Sequence, residues 1–295
     1  MLALLIRLGA IGALATMSAI IKYLAESGVH LVEILFWRQA LAIPMVVAWV
    51  WISTRSLASL RTTRPRAHAL RGIYGLTGMI LNFGGVILLP LAEATTMGFT
   101  APIWAVILSM LLLKDRIGAW RWSAVLLGFA GILVIAQPGS GHIPPLGAAV
   151  ALGGAFMIAL ISIQIADLGR TEQPLTIVFW FAMVSAPLCA LGLPFVMQAH
   201  TTEQWLLLGA LGAAGTLGQF LLTASLRYGK VASVIVMDYS SLFWATLYGW
   251  LIWQQLPGPW TWIGAPLIVA AGIIITWREH RLARRRFVDQ RQAGT

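Results

Sequence analysis

The chain has 295 residues, of which 59% are hydrophobic and only 10% are charged, and its formal net charge is +10. A soluble domain carries about 25% charged residues, so the composition excludes an ordinary soluble protein and indicates a polytopic membrane protein. The positive charge does not indicate nucleic-acid binding, because the basic residues lie almost entirely between apolar segments.

Ten apolar runs follow one another along the chain, each near the roughly 20 residues that a helix needs to cross the hydrocarbon core. They cover residues 2–25, 29–53, 68–89, 92–113, 119–136, 146–167, 174–198, 203–226, 231–253 and 257–277. The runs are continuously apolar, which favours helices over the alternating strands of a barrel. The first run is too long for a signal peptide and belongs to the series, so we interpret it as a membrane helix.

The basic residues are distributed unevenly about these ten predicted spans. Every Lys and Arg except Lys22 and Arg38 lies at the start of the chain, in an even-numbered connection or in the tail. By the positive-inside rule, this distribution predicts a bacterial inner-membrane protein with both termini in the cytoplasm. We expect membrane lipid as a partner, no nucleic acid, and function as a monomer.

Residues 75–122 match residues 215–262 when the two stretches are aligned without gaps. The identities number 11 in 48 positions and include the pairs Trp104/Trp244, Trp120/Trp260 and Trp122/Trp262. Leu, Ala and Gly coincide by chance in an apolar chain, whereas three tryptophan pairs at one offset do not. The match therefore predicts an internal repeat.

The repeat divides the chain into two five-helix units. The predicted units are residues 1–136 and 146–277, joined by a linker at 137–145 and followed by a basic cytoplasmic tail at 278–295. Because each unit has an odd number of helices, the second enters the membrane from the opposite side. The predicted fold is an all-α polytopic membrane protein with ten transmembrane helices in two inverted five-helix repeats, an arrangement that recurs in secondary transporters.

Three stretches make the resemblance to a known family specific. They are FWRQALAIP at 36–44, the run at 101–135 that begins APIWAVILSM, and its counterpart at 241–275 that begins SLFWATLYGW. The chain resembles the drug/metabolite transporter superfamily, in particular the EamA-type exporters, and within it is most similar to the YddG-type amino-acid exporters. The resemblance implies export of amino acids, with aromatic or bulky apolar ones favoured, by alternating access around a central cavity.

Few ionisable residues fall within the predicted spans. Inserting such a residue at the centre of a membrane helix costs roughly 2.5–3.5 kcal/mol of free energy, so each of them is a functional candidate. Arg38 and Asp238 both fall near the midplane. They would either form a purely structural salt bridge or bind the carboxylate and the ammonium of an amino acid. Lys22 and Glu33 lie near the outer boundary and could pair. If protons are coupled to transport, Asp238 or Glu33 would carry them.

The predicted substrate cavity combines these groups with aromatic and polar side chains of the spans. Four tryptophans lie well inside the helices, where they would either line the cavity or simply pack. The predicted cavity residues are Lys22, Trp37, Arg38, Asn82, Trp104, Trp180, Gln219, Asp238, Tyr239 and Trp244.

Enzymatic functions find little support in the sequence. All five histidines lie in loops or at helix ends, the single cysteine cannot form an intrachain disulfide, and no GxxxxGK[ST] loop for ATP occurs. We therefore expect no enzyme activity, no cofactor and no metal. The alternatives are an exporter of another small amphiphile, such as a drug or a nucleoside, and a polytopic lipid-handling protein or enzyme.

Overall fold

The computed structural model describes residues 2–113, 119–137, 143–228 and 236–292, and these residues are almost entirely helical. In chain order the helices are α1 (Leu2–Glu26), α2 (Leu31–Thr54), α3 (Pro65–Leu88), α4 (Leu91–Gly98), α5 (Ala101–Leu113), α6 (Ala119–Ala136), α7 (Pro145–Leu168), α8 (Pro174–Ala190), α9 (Leu193–Val196), α10 (Thr202–Tyr228), α11 (Ser241–Trp253) and α12 (Pro259–Gln292). Short 3₁₀ turns occur at Ala58–Leu60 and Val236–Ser240. Residues 138–142, the centre of the predicted linker, lie outside the described residues.

Six helical stretches in the described part of the chain are long and apolar enough to cross a membrane. They are Leu5–Glu26, Leu31–Thr54, Pro65–Leu88, Leu91–Leu108, Pro145–Ile165 and Thr202–Leu222. Shorter apolar helices cover Trp122–Ala136, Pro174–Ala190 and Pro259–Ile274. The prediction of an all-helical, multi-pass membrane protein is confirmed at this level.

The fourth predicted span is divided between α4 and α5. Pro102 has no amide hydrogen to donate to the carbonyl of Gly98, and its ring crowds that carbonyl, so a continuous helix is disfavoured at this point. The amides of Phe99 and Thr100 instead make tight-turn bonds to Thr96 and Met97. The 3₁₀ turn before α11 lies about 140 positions later, at the offset of the sequence match, and the rings of Phe99 and Tyr239 touch there, with centroids 5.1 Å apart.

Helices from the two halves of the chain pack against each other. The most extensive interfaces pair α1 with α10, α3 with α7, α6 with α12, and α2 with α8. At the α6–α12 crossing, a Cβ on Gly131 would lie 2.9 Å from the carbonyl oxygen of Gly264. Only glycine permits this approach, and close backbone packing is a main source of helix association in lipid.

The bundle has two distinct ends. At one end, Lys22 of α1 donates to the carbonyl of Leu89, and Gln204 of α10 donates to the carbonyl of Ser27. At the other end, Arg64 before α3 pairs with Asp167 of α7. We call the first the sealed end and the second the cavity end, because a cavity occupies the half of the bundle next to the second.

Candidate functional site

A cavity of about 600 Å³ lies among α2, α3, α7, α8 and α10. Its lining begins at Arg38, in the middle of α2, and extends to Gly169 and Pro174 at the cavity end. Apolar and aromatic side chains form most of the wall, among them Trp49 and Phe220, whose rings are 4.3 Å apart. A concave, largely apolar site with few polar groups is typical of small-molecule binding.

Arg38 forms the inner limit of the cavity, where three helices meet. Its guanidinium donates to the sulfur of Met17 on α1 at 3.3 Å and to the sulfur of Met79 on α3 at 3.2 Å. It also donates to the Oε1 of Gln39 at 2.8 Å and lies over the Phe83 ring. Thioethers are weak acceptors. Among the described residues, Arg38 has no carboxylate within ion-pair distance.

Arg71 of α3 contributes a second guanidinium to the same cavity. The residue is 8% exposed, and its guanidinium lies over the Phe181 ring at 4.5 Å. Its Nε and Nη1 atoms are buried and have no hydrogen-bond partner. Arg71 was not among the predicted cavity residues, because the positive-inside pattern groups it with the basic connection after α2. The signal was its place inside an apolar run, four residues before Gly75.

Three neutral polar side chains complete the lining. Gln39 is held by a bond from its Nε2 to Ser185 of α8, which orients its oxygen towards Arg38. The Thr216 hydroxyl of α10 is buried without a hydrogen-bond partner. Gln219 lies one turn further along α10. Of the ten residues predicted for the cavity, Arg38 and Gln219 are the two that line it.

The four predicted tryptophans lie in two other environments. The Nε1 of Trp37 donates to Glu33 on the same helix, and the Nε1 of Trp180 donates to the carbonyl of Leu60, which joins α8 to the connection after α2. Trp104 packs edge-on against two phenylalanine rings, and Trp244 stacks on Tyr248. Both have buried indole nitrogens without a partner.

Asp238 does not pair with Arg38. It forms a two-point ion pair with Arg7 of α1, in which the Nε and Nη2 of Arg7 each lie 2.6 Å from a carboxylate oxygen. The neighbouring Tyr239 packs on Phe99. Asn82 lies where α3 and α7 cross, since a Cβ on Gly154 would come within 2.8 Å of its Cα. These three predicted residues are therefore in helix contacts outside the cavity lining.

Lys22 and Glu33 lie at the sealed end but do not pair with each other. The ammonium of Lys22 donates to the carbonyls of Val86 and Leu89 at 3.0 and 2.7 Å, and Glu26 lies 3.7 Å away. Glu33 is fully buried and bonds to His200, in the connection before α10. Its second oxygen, Oε2, has no partner.

An apolar cluster closes the half of the bundle between Arg38 and the sealed end. Its buried members come from α1, α2, α3, α8 and α10 and the connection after α1: Met17, Ile21, Leu24, Val29, Ile34, Leu35, Phe83, Cys189, Leu208 and Leu211. Arg38 touches Met17 at the edge of this cluster. The cavity is therefore reached from one end of the bundle and blocked at the other.

Comparison with known proteins places this architecture in a family. The EamA-like transporter family model matches residues 1–137 and again residues 145–277. A riboflavin transporter of Vibrio cholerae is 29% identical over 247 residues, 83% of each chain. A pseudopaline exporter of Pseudomonas aeruginosa is 29% identical over 89% of this chain and 91% of its own. An S-adenosylmethionine uptake transporter of Rickettsia felis is 26% identical over 91% and 90% of the two chains.

A crystal structure shares the fold, with a TM-score of 0.62 at 21% identity over 90% of this chain and 96% of its own. The family match covers most of the chain, and the relatives are named as transporters and not as enzymes. The chain belongs to the EamA-like transporter family and is a multi-pass membrane transporter.

Proposed function

We propose that the protein is a secondary transporter that exports amino acids, with aromatic or bulky apolar ones favoured, by alternating access around this cavity. The observation that carries the proposal is the cavity itself, which offers guanidinium groups for a carboxylate and an apolar wall for a side chain. The resemblance to amino-acid exporters points to the same substrate class. The sealed end and the open cavity correspond to one of the two states that alternating access requires.

The helix contacts support two inverted repeats. If α1, α2, α3, α4–α5 and α6 are exchanged for α7, α8, α10, α11 and α12, the α1–α10 interface becomes the α7–α3 interface, and the α2–α10 interface becomes the α8–α3 interface. The α6–α12 and α2–α8 interfaces map onto themselves. The two matches of the family model agree with this division. In inverted-repeat transporters, substrates bind between the repeats.

The charge distribution supports an orientation for the bundle. The cavity end carries Arg55, Arg61, Arg64, Arg66 and Arg170, whereas the connections at the sealed end contain no Lys or Arg. By the positive-inside rule, the cavity faces the cytoplasm of a bacterial inner membrane and both termini are cytoplasmic. An exporter loads its substrate from that side. One chain supplies every wall of the cavity, which supports function as a monomer in lipid.

A second candidate is a transporter of another small amphipathic metabolite. The relatives are named for riboflavin, pseudopaline and S-adenosylmethionine, and their names include both export and uptake. A cavity of about 600 Å³ with mostly apolar walls suits solutes of that kind as well.

The substrate is tested with purified protein in liposomes loaded with labelled amino acids. We expect saturable efflux of tryptophan, phenylalanine or leucine, because the cavity provides specific binding. The rate of efflux should be at least about tenfold higher than from loaded liposomes without the protein. The matched control is Ala182→Trp, which fills the cavity from α8 and should abolish the flux. Saturable flux of another metabolite without any flux of these amino acids would reject the amino-acid proposal and retain the transporter.

We propose Glu33, rather than Asp238, as the site of proton coupling. Glu33 is fully buried with one free oxygen beside His200, whereas Asp238 is already neutralised by Arg7. We expect Glu33→Gln to remove the response of transport to an imposed pH gradient while substrate exchange at equal pH continues, because an amide cannot take up a proton. The control is Asp238→Asn, which should keep the gradient response. A Glu33→Gln protein with an unchanged response would exclude the role.

A further inference from the structure

We infer that Arg38 and Arg71 together form an anion-binding site and that the cavity selects amphiphiles with a net negative charge, carried by a carboxylate or a phosphate, over zwitterions and cations. The inference rests on the proposal that this cavity is the transport site. Within that proposal it favours the second candidate, another small amphipathic metabolite, over zwitterionic amino acids. Both guanidinium groups line the one cavity. Planar guanidinium donors match the geometry of carboxylate and phosphate oxygens.

Arg71 has the features of a site that lacks its ligand. Two of its nitrogen atoms are buried without a hydrogen-bond partner, and within the described part of the chain its guanidinium lies over the face of Phe181. Buried charges in proteins are ordinarily paired, because desolvation of an isolated ion is costly. A negatively charged substrate group would supply the missing partner.

Among the described residues, Arg38 bonds to weak or neutral acceptors. Two of its partners are thioether sulfurs and the third is the amide oxygen of Gln39. Carboxylate and phosphate oxygens form stronger, charge-assisted bonds than either of these, so an anion would displace the thioethers. The displaced groups, Met17 and Met79, belong to the helices that seal the opposite half, which links occupation of the site to the apolar cluster.

The first identity of the internal repeat, Gly75/Gly215, has a physical explanation at this site. A Cβ on Gly75 would collide with the guanidinium of Arg71. A Cβ on Gly215 would lie 3.7 Å from the Nε of Arg38 and 3.0 Å from the sulfur of Met17. Gly75 therefore leaves space for the guanidinium of Arg71, whereas the tightest neighbour of Gly215 is the sulfur of Met17, a hydrogen-bond partner of Arg38.

The cavity offers no matching negative charge for an ammonium group. Its described lining contains no Asp or Glu. The acidic residues of the neighbouring helices are already engaged, since Asp238 pairs with Arg7, Asp167 with Arg64, and Glu33 with His200. Glu172 accepts a bond from Thr62. A zwitterion would satisfy the guanidinium groups, but its own ammonium would have no counter-charge. An anion would satisfy the same groups and has no ammonium.

The test measures binding to the purified full-length protein in detergent, with four probes that share a phenyl group and differ in charge. N-acetylphenylalanine and phenyl phosphate are anions, phenylalanine is a zwitterion and phenylalanine amide is a cation. We expect at least one anion to bind about tenfold or more tightly than the zwitterion, because the ammonium of the zwitterion loses hydration in the cavity without gaining a counter-charge. The cation should not bind, because it has no negative group for the guanidinium groups. Comparison of the two anions identifies the preferred group.

Variants separate the anion site from a structural role. Arg38→Gln and Arg71→Gln should each weaken anion binding by about tenfold or more, whereas Arg64→Gln, whose arginine is paired and partly exposed outside the cavity, should leave it unchanged. Arg71→Met should keep or raise the melting temperature, because it removes an unpaired buried charge. Equal affinity for all four probes, or a large loss of stability in Arg71→Met, would overturn the inference. Anion binding without flux of any solute would instead reject the proposed transport function.

Discussion

Replacement of Arg7 by methionine is expected to destabilise the protein more than the loss of any other single ion pair described in the structure. Arg7 is 5% exposed, and both of its bonds to Asp238 are 2.6 Å long. Removal of one partner of a buried pair costs roughly 3–5 kcal/mol. Because the Asp238 side chain is 36% exposed and keeps some hydration, we expect about 2–3 kcal/mol, measured by reversible unfolding in detergent.

The chain contains a matched control for this prediction. Arg64 and Asp167 are also 2.6 Å apart, but their side chains are 34% and 56% exposed. Exposed pairs contribute about 0–1 kcal/mol, so Arg64→Met should have a small effect on the free energy of unfolding. The double variant Arg7→Asp with Asp238→Arg should recover part of the lost stability. Equal losses for Arg7→Met and Arg64→Met would contradict the argument that burial makes the difference.

The course of the helices could be predicted from the sequence because membrane spans are set by length and continuous hydropathy. The predicted first span, residues 2–25, corresponds to α1 (Leu2–Glu26), and the predicted sixth, residues 146–167, to α7 (Pro145–Leu168). The division of the fourth span depends on where the residues around Gly98 find hydrogen-bond acceptors. Pro102 disfavours a continuous helix there, but only the folded chain shows that the turn meets Tyr239.

The pairing of charged residues could not be predicted. Hydropathy indicates how deep a residue lies in the membrane, but it does not indicate which residue of another helix it contacts. Arg38 was predicted to be functional because a charged side chain inside the membrane is energetically unfavourable, and the residue does line the cavity. Asp238 has a similar depth, yet its partner is Arg7, which is 231 positions away in the sequence. Trp37 and Trp180 were both predicted to lie in the cavity, yet Trp37 bonds to Glu33 on its own helix and Trp180 bonds to the carbonyl of Leu60.

We expect Lys22→Met to open the sealed end. The ammonium of Lys22 on α1 donates hydrogen bonds to the carbonyls at the end of α3. A hydrogen bond with a charged donor contributes about 1.5–3 kcal/mol to stability. Their loss should raise the population of the state in which this end is open by about tenfold or more. The measurement is labelling of a cysteine at Leu35, which is 0% exposed in the apolar cluster, in a Cys189→Ser background. The rate of labelling from the sealed side should rise about tenfold.

The control is Tyr23→Phe, which removes only an exposed hydrogen bond to Glu203 at the same end and should leave the labelling rate unchanged. The proposed inverted repeat would account for this expected effect of Lys22, because it pairs each interface of one unit with an interface of the other. The counterpart of the α1–α3 contact lies between α7 and α10, where Ile165 and Thr216 face the open cavity. The two states of an inverted repeat exchange these two interfaces, so weakening the closed one favours the other state. A labelling rate that does not change in Lys22→Met would show that the apolar cluster alone keeps this end closed.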